Sequence, residues 1–261
     1  MKVNMLILLV AFYVAAQAQN HELVYAKDGS GVFGYKDTPI QPWSGFHIHD
    51  PDRPSPKRIG PGGFGGQQPP GKPPSDAVVL FDGKDLSRWK PNQWRVEDGC
   101  LVATSGPFET MEEFESFQLH LEWQAPEIPA GDIMNRGNNG VMLAGVFEIQ
   151  IFDPRTKIYP DGQTAAIYAQ TPPLVNASRT PPEWEVYDIV FLAPEFKAGA
   201  GERFPRVTML HNGVLVHHDQ EIYGATAHRS LPGKYTKVRG PLALSAHHCP
   251  VRFRNIWIRR L

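Results

Sequence analysis

The stretch Gly140-Val-Met-Leu-Ala-Gly-Val-Phe-Glu-Ile-Gln-Ile-Phe-Asp153 predicts a β-strand with two unlike faces. Side chains alternate between the faces of a strand, so Glu148 and Gln150 point one way while the apolar residues beside them point the other. We expect the apolar face to join a core and the polar face to do chemistry. Asp153 would join the polar face only if a bulge ends the strand, a feature found beside active sites. The pattern also fits a solvated sheet edge, so its context decides.

Short strands separated by turn residues continue on both sides of this stretch. Asp98-Gly99 and Asn212-Gly213 predict hairpin turns, and residues 117–123 alternate strictly between apolar and polar. We expect at most a short helical turn at residues 109–115. The predicted fold is an all-β sandwich or jelly roll of two sheets. Its predicted strands cover residues 78–81, 94–96, 100–103, 117–123, 140–152, 184–191, 206–211, 214–217, 242–245 and 251–258.

Composition divides the chain into three parts. Residues 1–18 are typical of a secretory signal, with Lys2, an apolar stretch, and the small residues Ala16 and Ala18. We expect cleavage after Ala18, export to the periplasm or the extracellular space, and no membrane span, because the apolar run is too short. Residues 19–76 are rich in Pro and Gly and predict an arm and linker. Residues 77–261 carry the predicted strands.

The arm contains aromatic and histidine residues that a plain linker does not need, among them Trp43, His47 and His49. We therefore expect part of the arm to pack on the domain near the polar face of Glu148. The alternating His47 and His49 could help to hold a divalent metal ion, although their spacing matches no closed zinc site.

Charge and cysteine content limit the classes of partner. The 26 Lys and Arg residues nearly balance the 27 Asp and Glu residues, so no overall field favours nucleic acid or an anionic membrane. A small neutral substrate or a protein partner fits better.

Cys100 and Cys249 could form one disulfide in an exported protein, or they could be two separate buried thiols.

Eight ordered blocks of the sequence form a recognisable series. They are Leu80–Trp89, Trp94–Gly99, Arg136–Gly140, Phe147–Asp153, Ala166–Gln170, Trp184–Val190, Leu210–Val214 and His247–Trp257. Together they resemble the 3-keto-disaccharide hydrolase domain family, and the resemblance implies a concanavalin A-like jelly roll of two antiparallel sheets. Two positions depart from the family pattern. Met142 stands where members tend to have Tyr, and Ser245 begins a segment in which only His247 and Pro250 match.

The resemblance implies chemistry on a sugar already oxidised at C3. The ketone acidifies the C2 proton, so a base can remove it, the C1 substituent leaves by elimination, and water then adds. This route needs a base, an acid for the leaving oxygen, and a group that polarises the carbonyl. We expect Glu148 to be the base or acid, Gln150 to orient the sugar and Asp153 to be a second carboxylate. His247 could polarise the ketone, act as an acid or bind a metal.

Further residues are candidates for binding the sugar. Tyr168 and Gln170 are expected on one face of an Ala-rich strand, and Arg136 and Asn138 lie in a Gly-flanked loop that can approach a ligand closely. Each assignment has a structural alternative. Asp153 before a proline is ordinary turn chemistry, His247 could be a structural histidine, and Arg136 and Asn138 could be a turn framework.

Three functions compete for this pattern. The first is a 3-keto-glycoside-cleaving enzyme, and the second is a non-catalytic carbohydrate-binding module, because a jelly roll serves both. An enzyme needs Glu148 in a cleft with an acid or histidine in reach, whereas a binding module could present tryptophans such as Trp43, Trp89 or Trp184. The third is an ordinary retaining β-glucanase. The Glu148-x-Gln-x-x-Asp153 pattern resembles the Glu-x-Asp-x-x-Glu strand of those enzymes, and this function needs two carboxyls ~5 Å apart.

Overall fold

The computed structural model describes residues 21–63, 69–129, 132–197, 201–237 and 239–261. The signal sequence predicted for residues 1–18 lies outside them. The described residues form β-strands and one short 3-10 helix, η1 (Pro160–Gly162). In chain order the strands are β1 (Leu23–Tyr25), β2 (Phe33–Tyr35), β3 (Lys57–Arg58), β4 (Val78–Phe81), β5 (Arg95–Glu97), β6 (Cys100–Val102), β7 (Phe108–Phe114), β8 (Phe117–Gln124), β9 (Asn139–Leu143), β10 (Phe147–Ile151), β11 (Val175–Asn176), β12 (Glu185–Leu192), β13 (Glu195–Lys197), β14 (Gly201–Arg203), β15 (Arg206–His211), β16 (Val214–Glu221), β17 (Gly240–Ala246) and β18 (Arg252–Arg260).

Two antiparallel sheets make the sandwich. The larger sheet has the strand order β16-β15-β12-β8-β18-β6-β5, with β4 also paired to β18. The smaller sheet has the order β10-β9-β17-β7. Neighbours in space are mostly distant in sequence, which is the crossing connectivity of a jelly roll. The prediction of an all-β jelly-roll sandwich is confirmed.

The core lies between the two sheets and follows the predicted alternation. Phe117, Leu119, Leu121 and Trp123 of β8 are all 0% exposed. From the smaller sheet, the apolar side chains of β10 join the same apolar cluster. Burying each such side chain contributes roughly 1.5–3 kcal/mol relative to exposing it. The core therefore fixes the register of β10, and with it the direction in which Glu148 points.

Three segments differ from their predicted local structure. Residues 140–152 are a hairpin of β9 and β10, because Ala144 and Gly145 adopt positive φ of 49° and 73° and turn the chain. Residues 109–115 belong largely to the edge strand β7 and not to a helical turn. Residues 166–170 are irregular, since Ala165 and Ala169 have φ of 67° and 60° and interrupt any strand.

The arm packs against the segment that follows β10, as expected. Phe33 and Tyr35 of the arm form a second apolar cluster with residues from that segment. Buried polar contacts reinforce it, because Gln41 Nε2 donates to the Ala169 carbonyl at 2.7 Å and Arg53 Nη1 donates to the Gln170 carbonyl at 3.0 Å. The docked part of the arm is thus held by both apolar and polar contacts.

The two cysteines are separate buried thiols. The backbone N–H of Gly137 donates to Cys249 Sγ at 3.0 Å, and the thiol of Cys100 contacts the carbonyl oxygen of Asp98 at 3.7 Å. Of the two alternatives left open by the sequence, the structure shows the unbridged one.

Across the described ranges, no helix is both long and apolar enough to span a membrane.

Candidate active site

A cavity of about 390 Å³ lies beside the outer face of β10 in the smaller sheet. Glu148 and Gln150 both line it, which confirms that they share the polar face of the strand. The volume falls in the range of small-molecule sites. The lining consists of Met134, Asn135, Asn138, Glu148, Gln150, Phe152, Ile158, Tyr159, Tyr168, Thr226, His228 and His247.

Glu148 is half-buried in the wall of this cavity. Burial raises the pKa of its carboxyl to about 7, while a hydrogen bond from the Ser245 hydroxyl, at 3.4 Å, acts in the opposite direction. Desolvation favours the protonated form, because the charged form loses its water. A carboxyl with a pKa near the working pH can both accept and return a proton, which is the property of a general base.

A glycine makes room for this carboxyl. Gly140 of β9 lies opposite Gln150 on one side and Ser245 on the other. A Cβ atom built on Gly140 would overlap Glu148 Oε1 and would lie 2.8 Å from Ser245 Oγ. Gly140 is therefore required for close approach and not for its backbone angles. Any side chain at this position would displace the carboxyl.

Gln150 presents an unused hydrogen-bond acceptor. The residue is 2% exposed, and its Oε1 has no partner among the described residues. A buried acceptor without a partner costs about 1–3 kcal/mol. A ligand hydroxyl in the cavity would remove that cost, so this wall suits a polyhydroxylated molecule.

Tyrosine and histidine side chains form another part of the lining. The Tyr168 hydroxyl lies 2.7 Å from His228 Nδ1 and 3.3 Å from the Tyr159 hydroxyl. Burial raises the pKa of Tyr168 above its ordinary value. Burial and the neighbouring His49 lower the pKa of His228. At neutral pH the pair is therefore a protonated phenol beside a neutral imidazole. The phenol of Tyr168 is the group that carries a proton to donate.

His247 and Asn138 both reach the cavity, where the sequence placed them. His247 follows the end of β17, and its exposed ring stands at the rim. Its backbone N–H donates to the Asn138 carbonyl at 3.2 Å. Partial burial, followed by the nearby His248, lowers the pKa of His247. His247 is thus available as a neutral hydrogen-bonding group.

Three predicted site residues do not line the cavity. Asp153 is 1% exposed and its carboxylate is 2.6 Å from Arg155 Nη2, with the Arg155 N–H closing a turn on Asp153 Oδ1 at 2.9 Å. This is the turn chemistry that was the alternative for Asp153. Gln170 is fully buried and donates to the Gly224 carbonyl at 3.0 Å. Arg136 holds the loop through its carbonyl, which accepts from the Asp153 N–H.

The expected metal site is not formed by His47 and His49. His47 Nδ1 contacts the Thr38 carbonyl, and His49 Nδ1 contacts Asp161 Oδ1 at 3.1 Å. In the part of the chain that is described, no three His, Cys, Asp or Glu residues are grouped to hold a metal ion. The two histidines are used in local contacts because the arm folds back on itself and on η1.

The three tryptophans considered for a binding module lie away from the cavity. Trp43 stacks on Tyr223 with ring centroids 4.3 Å apart. Trp89 is in the core at 3% exposure, and Trp184 packs beneath the Arg254 guanidinium at 3.8 Å. None of the three lines the cavity.

Thr226 and His228 are lining residues that the sequence did not indicate. They belong to the connection between β16 and β17, which has no motif. Thr226 Oγ1 accepts a hydrogen bond from the Glu148 backbone N–H at 2.8 Å. The alternation of Thr226 and His228 in a polar loop was the only available signal, and it is too common to identify a site.

Comparisons with known proteins show the fold and the family of this chain. A "putative glycosyl hydrolase" from Parabacteroides distasonis is 42% identical, covers 72% of this chain and 84% of its own, and superposes with a TM-score of 0.68. A second protein of that description from the same organism is 21% identical, covers 71% and 94%, and has a TM-score of 0.53, which shows the shared fold. No curated protein matches the sequence significantly. Residues 76–259 match the sequence model of the 3-keto-alpha-glucoside-1,2-lyase-like domain. The chain therefore belongs to the 3-keto-alpha-glucoside-1,2-lyase-like family and is a carbohydrate-active protein.

Proposed function

We propose that the protein cleaves 3-keto-glycosides by elimination at C1 followed by addition of water. One observation carries the proposal. Of the described residues that line the cavity, Glu148 alone has a carboxyl group, and burial raises its pKa to about 7. The site thus offers one base suited to neutral pH.

A single carboxyl argues against ordinary glycoside hydrolysis. Retaining enzymes place two carboxyls ~5 Å apart, and inverting enzymes place them ~6.5–9.5 Å apart. Asp153 is held by Arg155, and Asp161 is held by His49 behind the wall. Elimination from a 3-keto sugar needs only one base, because the ketone stabilises the carbanion that forms at C2.

The steps can be assigned to side chains in the cavity. Ionised Glu148 takes the C2 proton, and the electron pair moves into the C3 carbonyl as an enolate. The enolate then expels the oxygen at C1, forming a C1=C2 double bond. The Tyr168 hydroxyl, supported by His228, protonates the leaving oxygen. Water adds at C1 and gives its other proton to Tyr168, which restores the phenol. Glu148, after exchanging its proton with solvent, protonates C2, so the net reaction is hydrolysis.

The remaining polar groups would bind and polarise the sugar. In this proposal His247 and the Asn138 loop, which both line the cavity, hydrogen-bond the C3 oxygen, where negative charge develops. Gln150 Oε1 would accept a hydrogen bond from a sugar hydroxyl. We further propose that this reaction takes place outside the cytoplasm, because residues 1–18 are typical of an export signal.

Turnover in D2O tests the proposal. The purified protein is incubated with methyl 3-keto-glucoside or 3-keto-trehalose, and in parallel with each unoxidised parent sugar. We expect cleavage of the keto sugars only, with deuterium at C2 of the released 3-keto-glucose. Cleavage of the unoxidised sugars without deuterium at C2 would instead indicate ordinary hydrolysis. Saturable binding of the keto sugars without turnover would support the carbohydrate-binding module.

A further inference from the structure

The arm inserts a fully buried histidine behind the cavity wall. His49 is 0% exposed and lies outside residues 76–259, which match the family. Its Nδ1 is 3.1 Å from Asp161 Oδ1, and its backbone N–H donates to Asp161 Oδ2 at 3.0 Å. Asp161 is itself fully buried in η1. His49 thus joins the arm to the domain through two contacts with one carboxylate.

The imidazole of His49 packs directly on residues that line the cavity. It stacks on Tyr159 with ring centroids 3.9 Å apart and planes at 27°. The centroids of Tyr168 and His228 are 5.1 and 5.3 Å away. These three rings carry the hydrogen-bonded row that runs from the Tyr159 hydroxyl through Tyr168 to His228. A shift of His49 would therefore move the row.

Burying the His49 imidazole beside Asp161 costs more free energy than burying an apolar side chain would. His49 Nε2 is buried and has no partner among the described residues, and such an atom costs about 1–3 kcal/mol. The neighbouring Asp161 carboxylate also requires Gln41 Nε2, at 3.2 Å, to complete its hydrogen bonds. Replacing both partners of a buried hydrogen bond by apolar side chains of the same shape is often nearly neutral or stabilising. Orientation is the property that this arrangement supplies and apolar packing would not.

We propose that His49 is a positioning residue of the active site: anchored by Asp161, it fixes the Tyr159 ring and thereby the Tyr168 hydroxyl that faces the substrate. This inference rests on the proposed function, in which Tyr168 protonates the leaving oxygen. It extends the functional unit beyond the family-matched residues to a segment near the start of the chain.

Two variants separate positioning from stability. His49 has φ of 61°, a conformation that Asn tolerates well. His49→Asn keeps an N–H donor for Asp161 but removes the ring that stacks on Tyr159. Thr38→Val is the matched control. The buried Thr38 hydroxyl donates to the Ile48 carbonyl at 2.6 Å, so its removal loosens the same arm without touching Tyr159, Tyr168 or His228.

We expect His49→Asn to lower kcat on methyl 3-keto-glucoside at least ~10-fold with a smaller change in KM, since a misplacement of ~1 Å can cost ~100-fold in rate. Thr38→Val should melt at a lower temperature but keep the kcat of the parent at a temperature where it is folded. If His49→Asn and Thr38→Val show the same kcat, the positioning role is wrong.

A second measurement does not depend on activity. The ring of His228 is titrated by NMR in the parent and in both variants. Tyr168 and His49 contact this ring, and Arg229, His21 and His247 are the other charged or titratable groups that act on its pKa. Burial is the largest cause of the lowered pKa of His228 in the parent. If His49→Asn releases the ring from its packing, the ring becomes less buried and its pKa should rise towards the ordinary value, while it should stay unchanged in Thr38→Val.

The two measurements also distinguish the two proposals. If the parent turns over no keto sugar, the proposed function fails, and the NMR titration alone decides whether His49 positions the row. An unchanged His228 titration in His49→Asn would overturn the positioning role even if kcat fell. A rise in the pKa of His228 together with a fall in kcat supports it.

Discussion

Replacing Glu148 by Gln should stabilise the protein above neutral pH while it removes catalysis. Burial raises the pKa of this carboxyl from 4.5 to about 7. Each pKa unit corresponds to about 1.4 kcal/mol, so the shift amounts to about 3 kcal/mol. Because the cavity admits water, this figure is an upper bound. The near-isosteric amide keeps the shape of β10 and cannot ionise.

The sign follows from where the proton binds more tightly. At pH 4 Glu148 is largely protonated in both the folded and the unfolded chain, so its ionisation costs little. Above 4.5 the unfolded chain ionises first, and the folded state loses relative stability until the pH passes about 7. The stability gained by Glu148→Gln should therefore be small at pH 4 and approach about 3 kcal/mol at pH 8.

Thermal melts at pH 4, 6 and 8 measure this difference. A domain of this size gains roughly 2–4 °C per kcal/mol, so the largest increase in Tm should appear at pH 8. Glu109→Gln is the control, because Glu109 lies on the same sheet face but is partly exposed and paired with Lys90 Nζ at 2.6 Å. Turnover of a 3-keto-glycoside should fall at least ~100-fold. A Tm difference that is constant with pH, or a loss of stability that grows with pH, would refute the reasoning.

Three further predictions rest on the structure, and a fourth rests on the sequence. Below pH 7, kcat/KM should fall by about tenfold per pH unit, because only ionised Glu148, with its pKa near 7, accepts the C2 proton; a flat profile between pH 5 and 8 would exclude Glu148 as the base. Gly140→Ala should reduce turnover ~10–100-fold in a folded protein, since the added Cβ overlaps the Glu148 carboxyl; Gly233→Ala, whose Cβ would meet nothing closer than 3.6 Å, should leave turnover unchanged. Unfolding without reductant should expose two thiols to a thiol reagent, because Cys100 and Cys249 are unbridged; recovery of none would contradict the structure. Mass spectrometry of the exported protein should show Gln19 as the first residue, and an intact Met1 would refute cleavage after Ala18.

The strands that the sequence predicted best are those whose burial is set by their own alternation. Residues 117–123 and 147–151 alternate between apolar and polar, and the structure buries the expected face. Strand β7 escaped prediction because it lies at a sheet edge, where Met111 is exposed on one face and Glu112 is partly exposed on the other, so the sequence shows no strict alternation. Ala165 and Ala169 adopt positive φ that alanine normally avoids, so only tertiary contacts could reveal that bend.

The site was predictable where a side chain's direction depends on a strand. Glu148, Gln150 and His247 reach the cavity because β10 and the end of β17 aim them there. Asp153 and Gln170 did not follow, since a turn and an irregular segment set their directions. Asp161 and His228 could not be assigned at all, because their roles depend on contacts with residues far away in the sequence.

The docked arm also bears on the order in which the molecule assembles. Its contacts with the domain join residues separated by 112 to 128 positions, and long chain closures of this kind are entropically costly and slow. The arm leaves the ribosome before the sheets exist, yet η1 and the bend at Ala169 must be in place before Gln41 and His49 have partners. We therefore expect folding of the jelly roll and docking of the arm to be separable events, with the arm docking last.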